Sequence, residues 1–135
     1  MYLHNLNLKR RNPIPNWCHN RVTVSFNDSP KSAEVLELFK EVDEYNRPVL
    51  FDKVLPIPKD LDSAAEYDWR CNNWGCKWSP REFDFTVEDP EYIEVEFDTP
   101  WSPAEGICET LREKYDDMNF TWFYDEPGME FCGYL

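Results

Sequence analysis

The hydrophobic pattern of the chain predicts six β-strands. Apolar and polar residues alternate in residues 20–26, 82–87 and 92–98, as they do in strands that bury one face. Residues 48–55 form a short apolar run that ends at prolines, and residues 120–124 are mostly aromatic. Asp-Glu-Pro-Gly at residues 125–128 is turn chemistry, so residues 129–135 are predicted to return as a final strand.

Two helices are predicted between these strands. Ser29 and the proline after it suit the cap and first position of a helix that runs to about residue 45. Ser102 and Glu105 have the spacing of a capping box for a second helix, which runs to about residue 115. The resulting order, β-α-β-β-β-α-β-β, is typical of an α+β domain. It predicts a ferredoxin-like antiparallel sheet with an extra hairpin and two helices packed on one face.

The composition indicates one folded domain. Of the 135 residues, 41% are hydrophobic and 16% are aromatic, which is enough to build one hydrophobic core. Residues 1–14 are interpreted as an N-terminal extension and residues 15–135 as the domain. Charged residues or prolines interrupt every apolar stretch, so we expect no association with membranes.

The N-terminus and the cysteines indicate a cytoplasmic location. Residues 1–14 carry three basic residues but lack the apolar segment and cleavage site of an export signal. Five cysteines without paired spacing are typical of reduced thiols rather than of a disulfide framework. Cys18, His19, Cys71 and Cys76 lack the spacing of a zinc site, so we expect no metal and no cofactor.

The net charge of −13 is concentrated in the C-terminal part of the chain. Residues 1–81 contain 12 basic and 11 acidic residues, a balance of +1. Residues 82–135 contain 2 basic and 16 acidic residues, a balance of −14, and the two balances give the total of −13. Such a surface repels phosphate backbones, which disfavours general nucleic-acid binding and favours a partner with a basic surface.

Alternation also places carboxylates on the open face of the predicted sheet. If Ile93, Val95 and Phe97 pack under the helices, the acidic residues between them point the other way. RNA-binding domains of this architecture carry aromatic and basic groups on that face, so RNA recognition there is not expected. Two interpretations stay open: a solvated face that keeps the protein soluble, and a patch that docks a basic protein. The residues of this acidic partner face are Glu82, Asp84, Glu94, Glu96 and Asp98.

Tryptophans and cations are concentrated in residues 69–81, in the part of the chain that is not acidic. Trp69, Trp74 and Trp78 lie there together with Lys77 and Arg81. Indole faces and nearby cations are what a pocket for a planar or anionic ligand would use. The alternative is that these tryptophans anchor a long connection to the core.

The sequence offers little support for catalysis. The cysteines have no evident base, because the two histidines are His4 near the N-terminus and His19 next to Cys18. Adjacent carboxylates such as Asp125 and Glu126 are expected by chance among 27 acidic residues. Enzymatic activity on nucleotides or nucleic acid therefore stays an alternative, with no catalytic residue assigned.

Four motifs in order resemble one known family. They are PNWCHNRVTV at residues 15–24, NWGCKW at 73–78, TPWSP at 99–103 and YDEPGMEFCG at 124–133. Together they resemble the YubB-type ferredoxin-like domain proteins of bacteriophages, prophages and conjugative plasmids, over about residues 15–133, which is nearly the whole chain. The sequence departs from that pattern at Cys76, where threonine is usual, and at Pro100, where a small residue is usual.

The resemblance implies a role more than a reaction. Together with the acidic C-terminal part and the absence of catalytic motifs, it predicts an accessory protein of a mobile genetic element that acts by binding. Through its acidic surface the protein is expected to antagonise a host factor with a basic surface, such as a defence component, in the bacterial cytoplasm. A small ligand or nucleotide is the alternative. The motifs supply one candidate pocket for a ligand or partner: Trp17, Asn20, Asn73, Trp74, Lys77, Trp78, Tyr124 and Glu126.

Overall fold

The computed structural model describes residues 16–135, so the predicted extension at residues 1–14 lies outside the described residues. The strands in this part of the chain are β1 (Trp17–Ser25), β2 (Arg81–Glu88), β3 (Tyr92–Pro100), β4 (Asn119–Glu126) and β5 (Phe131–Tyr134). These five strands form one antiparallel sheet in the order β2-β3-β1-β4-β5. The helices in this part of the chain are α1 (Ser32–Lys40), α2 (Leu50–Val54), α3 (Ser63–Asn73) and α4 (Glu105–Lys114).

The topology confirms the predicted α+β fold. β1, α1, β2, β3, α4 and β4 follow one another as in a ferredoxin-like unit, with β1 in the centre between β3 and β4. β5 then pairs with β4 and forms the additional hairpin. Because β1 pairs with β4, the motif at residues 15–24 lies on a strand next to the one where the motif at residues 124–133 begins.

Alternation along the strands determines which face of the sheet is buried. Val22 in β1, Val95 in β3 and Trp122 in β4 are fully buried. The residues directly before and after each of them in its strand are partly or fully exposed. The helices contribute the other side of this single core, with buried residues from α1, α2 and α4: Val35, Phe39, Leu50, Phe51, Val54, Ile107, Cys108 and Leu111. Among the described residues the helices pack on this one face of the sheet, and we call the opposite face the open face.

The predicted strand at residues 48–55 is wrong. This segment contains helix α2, and its β-pairing is limited to an isolated bridge between Val42 and Pro48. Leu50, Phe51 and Val54 are spaced so that one short helix buries all three. A short apolar run is compatible with a buried strand and with a buried helix, so periodicity did not distinguish the two structures.

The segment before β2 also contains more helix than the sequence indicates. α3 begins where the Asp62 side chain accepts a hydrogen bond from the Ala65 amide at 2.8 Å. The predicted capping box of α4 is not formed, because the Ser102 hydroxyl donates to the Gly75 carbonyl at 2.6 Å. None of the helices in residues 16–135 has the length and apolar composition needed to cross a membrane.

Candidate functional site

The four motifs meet at one end of the sheet. Trp17 lies opposite Pro100 in the β1–β3 ladder, and His19 lies opposite Asp125 in the β1–β4 ladder. The Ser102 hydroxyl holds the loop after α3 through the Gly75 carbonyl. The fold thus brings together four segments whose proximity the sequence alone does not show.

Aromatic and cationic side chains cover this end of the sheet, and we call them the aromatic end. Trp78 is 41% exposed, Trp101 39% and Tyr67 39%, and the exposed rings are accompanied by two cations. Large aromatic side chains are usually buried, and clusters of exposed ones are a feature of many interaction surfaces in proteins. The members of the aromatic end are Trp17, Tyr67, Lys77, Trp78, Arg81 and Trp101.

Arg81 and Trp17 form the part of the aromatic end next to the open face. The guanidinium carbon of Arg81 lies 3.6 Å from the centre of the Trp17 ring, and its Nε lies 3.7 Å from Asp98. Trp78 packs edge-on against Trp17, with 6.3 Å between the ring centres. These contacts fix the orientation of Trp17 and leave Trp78 accessible.

Lys77 forms the other part of the aromatic end. Its Nζ lies 5.1 Å from the centre of the Trp101 ring and 5.9 Å from the centre of the Tyr67 ring. The Arg70 guanidinium donates to the Lys77 carbonyl, which holds the backbone of the loop. The ammonium group is therefore kept between two exposed rings.

Trp101 has an unusual backbone conformation. Its φ is 68°, in the left-handed region that costs a residue other than glycine roughly 1 kcal/mol. Its amide donates to the Asn16 carbonyl at 2.8 Å, and this hydrogen bond holds the strained conformation. Strain of this kind is often found at functional sites, and here it turns a large apolar side chain towards solvent. The sequence pattern did not indicate that Trp101 is strained and exposed, because a positive φ at one residue leaves no periodic signal in the sequence.

Two residues of the predicted pocket belong to the core instead. Trp74 is 1% exposed, and its indole Nε1 donates to the Leu55 carbonyl at 2.9 Å. Asn20 is fully buried, donates to Thr99 Oγ1 at 2.9 Å, and accepts from the Trp122 indole at 2.9 Å. Both side chains use their polar atoms internally, so their roles are structural.

The remaining pocket residues are divided between two places. Trp17, Lys77 and Trp78 belong to the aromatic end, and Asn73 lies beside it, exposed, with its amide bonded to the Trp69 carbonyl. Tyr124 packs edge-on against Phe131 at the β4–β5 hairpin, with 5.8 Å between the ring centres.

Glu126 is fully buried at the end of β4. Its Oε2 accepts from the Met129 amide at 2.5 Å, whereas its Oε1 is the buried side-chain oxygen without a hydrogen-bond partner in the described chain. A Cβ atom at Gly128 would lie 3.0 Å from this oxygen, so the hairpin turn closes over it. Three residues of the predicted pocket are therefore buried: Asn20, Trp74 and Glu126. The other five are partly or fully exposed, at the aromatic end, beside it or at the β4–β5 hairpin.

The acidic partner face carries compensating cations that the sequence analysis did not place. Asp84, Glu94, Glu96 and Asp98 do lie on the open face, and exposed Glu82 lies at a bulge of β2. Central strand β1 contributes basic and hydroxyl groups to them, and β2 contributes one more hydroxyl. The bonds from β1 run from His19 and Arg21 to Glu96, from His19 to Asp98 and from Thr23 to Glu94. The bond from β2 runs from Thr86 to Glu94.

His19 is held between two carboxylates. Its Nε2 lies 3.0 Å from Glu96 and its Nδ1 lies 3.2 Å from Asp98. Partial burial by itself lowers the pKa of His19, but the hydrogen bonds and charges of the two carboxylates outweigh it and raise the pKa above its usual value. The hydrogen bonds and positive charges of His19 and Arg21 in turn lower the pKa of Glu96 below its usual value.

The buried cysteines are held in the thiol form. Burial raises the pKa of Cys18 and Cys76 to about 12 and the pKa of Cys108 to about 11. Within residues 16–135, no group of three or more His, Cys, Asp or Glu side chains is placed to hold a metal ion. A polar cleft of about 390 Å³ lies at the opposite end of the sheet, beside Phe26, Asp28 and Tyr92.

The fold and the match over its C-terminal part define a ferredoxin-like domain. Residues 73–135 match the family described as "Ferredoxin-like domain in Api92-like protein". They include three of the four motifs, while the motif at residues 15–24 lies outside the match. The chain is also similar to "Uncharacterized protein YubB" of Escherichia coli (strain K12), with 29% identity over 72 residues, 52% of this chain and 49% of the relative. These two matches support the family resemblance.

A solved structure gives a weaker likeness. It is the crystal structure of protein api92 from Yersinia pseudotuberculosis, with a TM-score of 0.47 and 17% identity. The likeness covers 64% of this chain and 30% of that chain. The chain spans about half the length of the curated relative that it matches.

Proposed function

We propose that this protein is an accessory protein of a mobile genetic element that binds a host protein, such as a defence component, through the aromatic end. The mobile-element context comes from the family resemblance. The binding role is supported by one observation above all: Trp101 is held in a strained conformation with its side chain exposed beside Lys77.

The chemistry of the aromatic end suits a protein partner. Tryptophan, tyrosine and arginine contribute most to binding energy in protein interfaces, where they fill pockets of the partner. The aromatic end supplies these residue types on a surface fixed by Gly75, Ser102 and Arg70. Little side-chain freedom is then lost on binding, which favours affinity.

The acidic partner face has a supporting role in this proposal. Its carboxylates at Glu96 and Asp98 are already bonded to His19, Arg21 and Arg81, so they are less available to a partner than the sequence indicates. The balance of −14 in residues 82–135 still attracts a basic surface at long range. Charge brings the partner near, and the aromatic end provides the contact.

Affinity capture from a bacterial host tests the proposal. The wild type should retain a host protein that is lost in Trp78→Ala and Trp101→Ala and kept in Tyr45→Ala, because Tyr45 is an exposed aromatic residue outside the aromatic end. Raised salt should slow association with that protein. Capture of the same proteins by all four forms, or of none, would contradict the proposal.

A nucleotide or other planar anion is a second candidate. The observation that favours it is Lys77 between the rings of Trp101 and Tyr67, where a stacked ring and a phosphate could be held together. A thermal-shift screen of nucleotides should then raise the melting temperature of the wild type but not of Lys77→Met. If no nucleotide raises the melting temperature, this second candidate is rejected, and the proposal of a protein partner still stands.

A further inference from the structure

The two edges of the sheet differ in how well they are protected. β2 has two register shifts against β3, carries exposed Glu82, Asp84 and Glu88, and is tied to α1 through Lys40 and Glu88. Bulges and charges of this kind prevent another strand from pairing. β2 is therefore a protected edge.

β5 has none of these protections. Its sequence, Phe-Cys-Gly-Tyr, contains no charged residue and no proline, and it pairs with β4 without a register shift. Tyr134 is 70% exposed and Phe131 is 39% exposed. An edge strand with free backbone groups and apolar side chains is a template for an added strand.

The register shows which backbone groups of β5 lack a partner strand among residues 16–135. The Leu135 amide donates to the Trp122 carbonyl at 3.0 Å, and hydrogen-bonded pairs alternate along an antiparallel ladder. Gly133 and Phe131 therefore bond to β4, whereas the amides and carbonyls of Cys132 and Tyr134 point outwards. Arg112 donates to the Leu135 carbonyl at 3.0 Å and to the Phe120 carbonyl at 2.7 Å, which holds this end of the strand in place.

Aromatic pairs line both faces of this edge. Phe123 and Tyr134 meet on the open face, with 5.3 Å between ring centres, and Tyr124 and Phe131 meet on the other face. A strand added to β5 would place its alternate side chains against these two pairs.

We propose that β5 receives an extended segment of another protein as a sixth strand, with apolar side chains at alternate positions and a basic residue near Asp125 and Glu130. The basic residue follows from charge, because Asp125 lies opposite Cys132 in the ladder and Glu130 directly precedes β5. A second copy of this chain fits less well, since each copy carries −13 and the excess is in residues 82–135. This edge is separate from the aromatic end.

Selection of binders from a library of random dodecapeptides tests the proposal. The selected peptides should alternate apolar residues with others and contain lysine or arginine. Cys132→Pro removes one outward amide and leaves the bonds to β4, so it should weaken binding about fivefold or more. Cys132→Ser keeps the amide and should bind as the wild type does, as should Trp101→Ala.

Hydrogen exchange on the wild type keeps the test independent of how Cys132→Pro folds. In the complex, the amides of Cys132 and Tyr134 should exchange at least tenfold more slowly, while those of β2 should not change. The proposal is overturned if no peptide is selected, if the selected peptides protect other amides, or if Cys132→Pro folds and binds equally well. It is also overturned if the free protein is a dimer that Cys132→Pro converts to a monomer, because a second copy would then occupy the edge.

Discussion

Gly106, in the first turn of α4, packs against the carbonyl oxygen of Asn73, the last residue of α3, with no room for a side chain. A Cβ atom built on Gly106 would overlap that oxygen atom. The Gly106 amide also donates to the Trp74 carbonyl at 3.1 Å. This joint between α3 and α4 positions the loop that carries Lys77 and Trp78.

Gly106→Ala should therefore destabilise the protein. Alanine in place of a helical glycine ordinarily stabilises a helix by about 1 kcal/mol, but here the new methyl group would force the two helices apart. We expect a loss of roughly 2 kcal/mol or more in the free energy of unfolding, measured by urea denaturation. Glu109→Ala, at an exposed position of the same helix, is the control and should change stability little. A stabilised Gly106→Ala variant would show that this close contact does not exist in solution.

Trp74 and Trp78 lie four residues apart, but truncation to alanine should reduce the stability of the protein far more at position 74 than at position 78. Trp74→Ala removes a buried side chain that packs on Phe51 and should cost roughly 3–5 kcal/mol, enough to unfold much of the protein. Trp78→Ala removes a side chain that is 41% exposed and should cost about 1 kcal/mol or less while abolishing partner binding. Denaturation curves and far-UV circular dichroism distinguish the two. Similar losses of stability would contradict the assignment of Trp78 to a binding surface.

The protein should be more stable with glycine at position 101 than with alanine there. Both substitutions remove the exposed indole, but only glycine adopts a φ of 68° without cost. Trp101→Gly should therefore be about 1 kcal/mol more stable than Trp101→Ala in chemical denaturation, the reverse of the order expected in a helix. Equal stabilities would mean that the chain relaxes to a negative φ when the indole is removed.

His19 should make stability depend on pH. Its pKa is raised in the folded state, so its stabilising contribution is complete below the unfolded pKa of about 6.5 and is lost as pH rises through the folded pKa. The loss of stability caused by His19→Gln should thus be larger at about pH 5.5 than at about pH 9. Because His19 is partly exposed, we expect a difference of roughly 0.5 kcal/mol.

Urea denaturation at the two pH values measures this difference. In a Glu96→Gln, Asp98→Asn background the carboxylates no longer favour the charged imidazole, so the difference should disappear. An equal effect of His19→Gln at both pH values in the wild-type background would refute the role of His19 as a charged link between β1 and β3.

Predictability from the sequence differed between strands and site residues. Alternation predicted β1, β2 and β3 within a few residues, because it reports directly which side of a strand is buried. It did not predict α2, where Leu50, Phe51 and Val54 form a run too short to show a period. It also did not separate Trp74 from Trp78, because the two indoles differ only in what packs against them.

By itself, the sequence determined the α+β class, the antiparallel sheet and the concentration of acidic residues in its C-terminal part. These depend on local periodicity and on counts, which need no knowledge of distant contacts. Only the tertiary structure determined that His19 and Arg21 lie beside the carboxylates, that Asn20 and Trp74 are internal, and that the aromatic end exists. Trp17, Lys77 and Trp101 lie in three separate segments, and they become neighbours because β1 pairs with β3 and Ser102 binds Gly75.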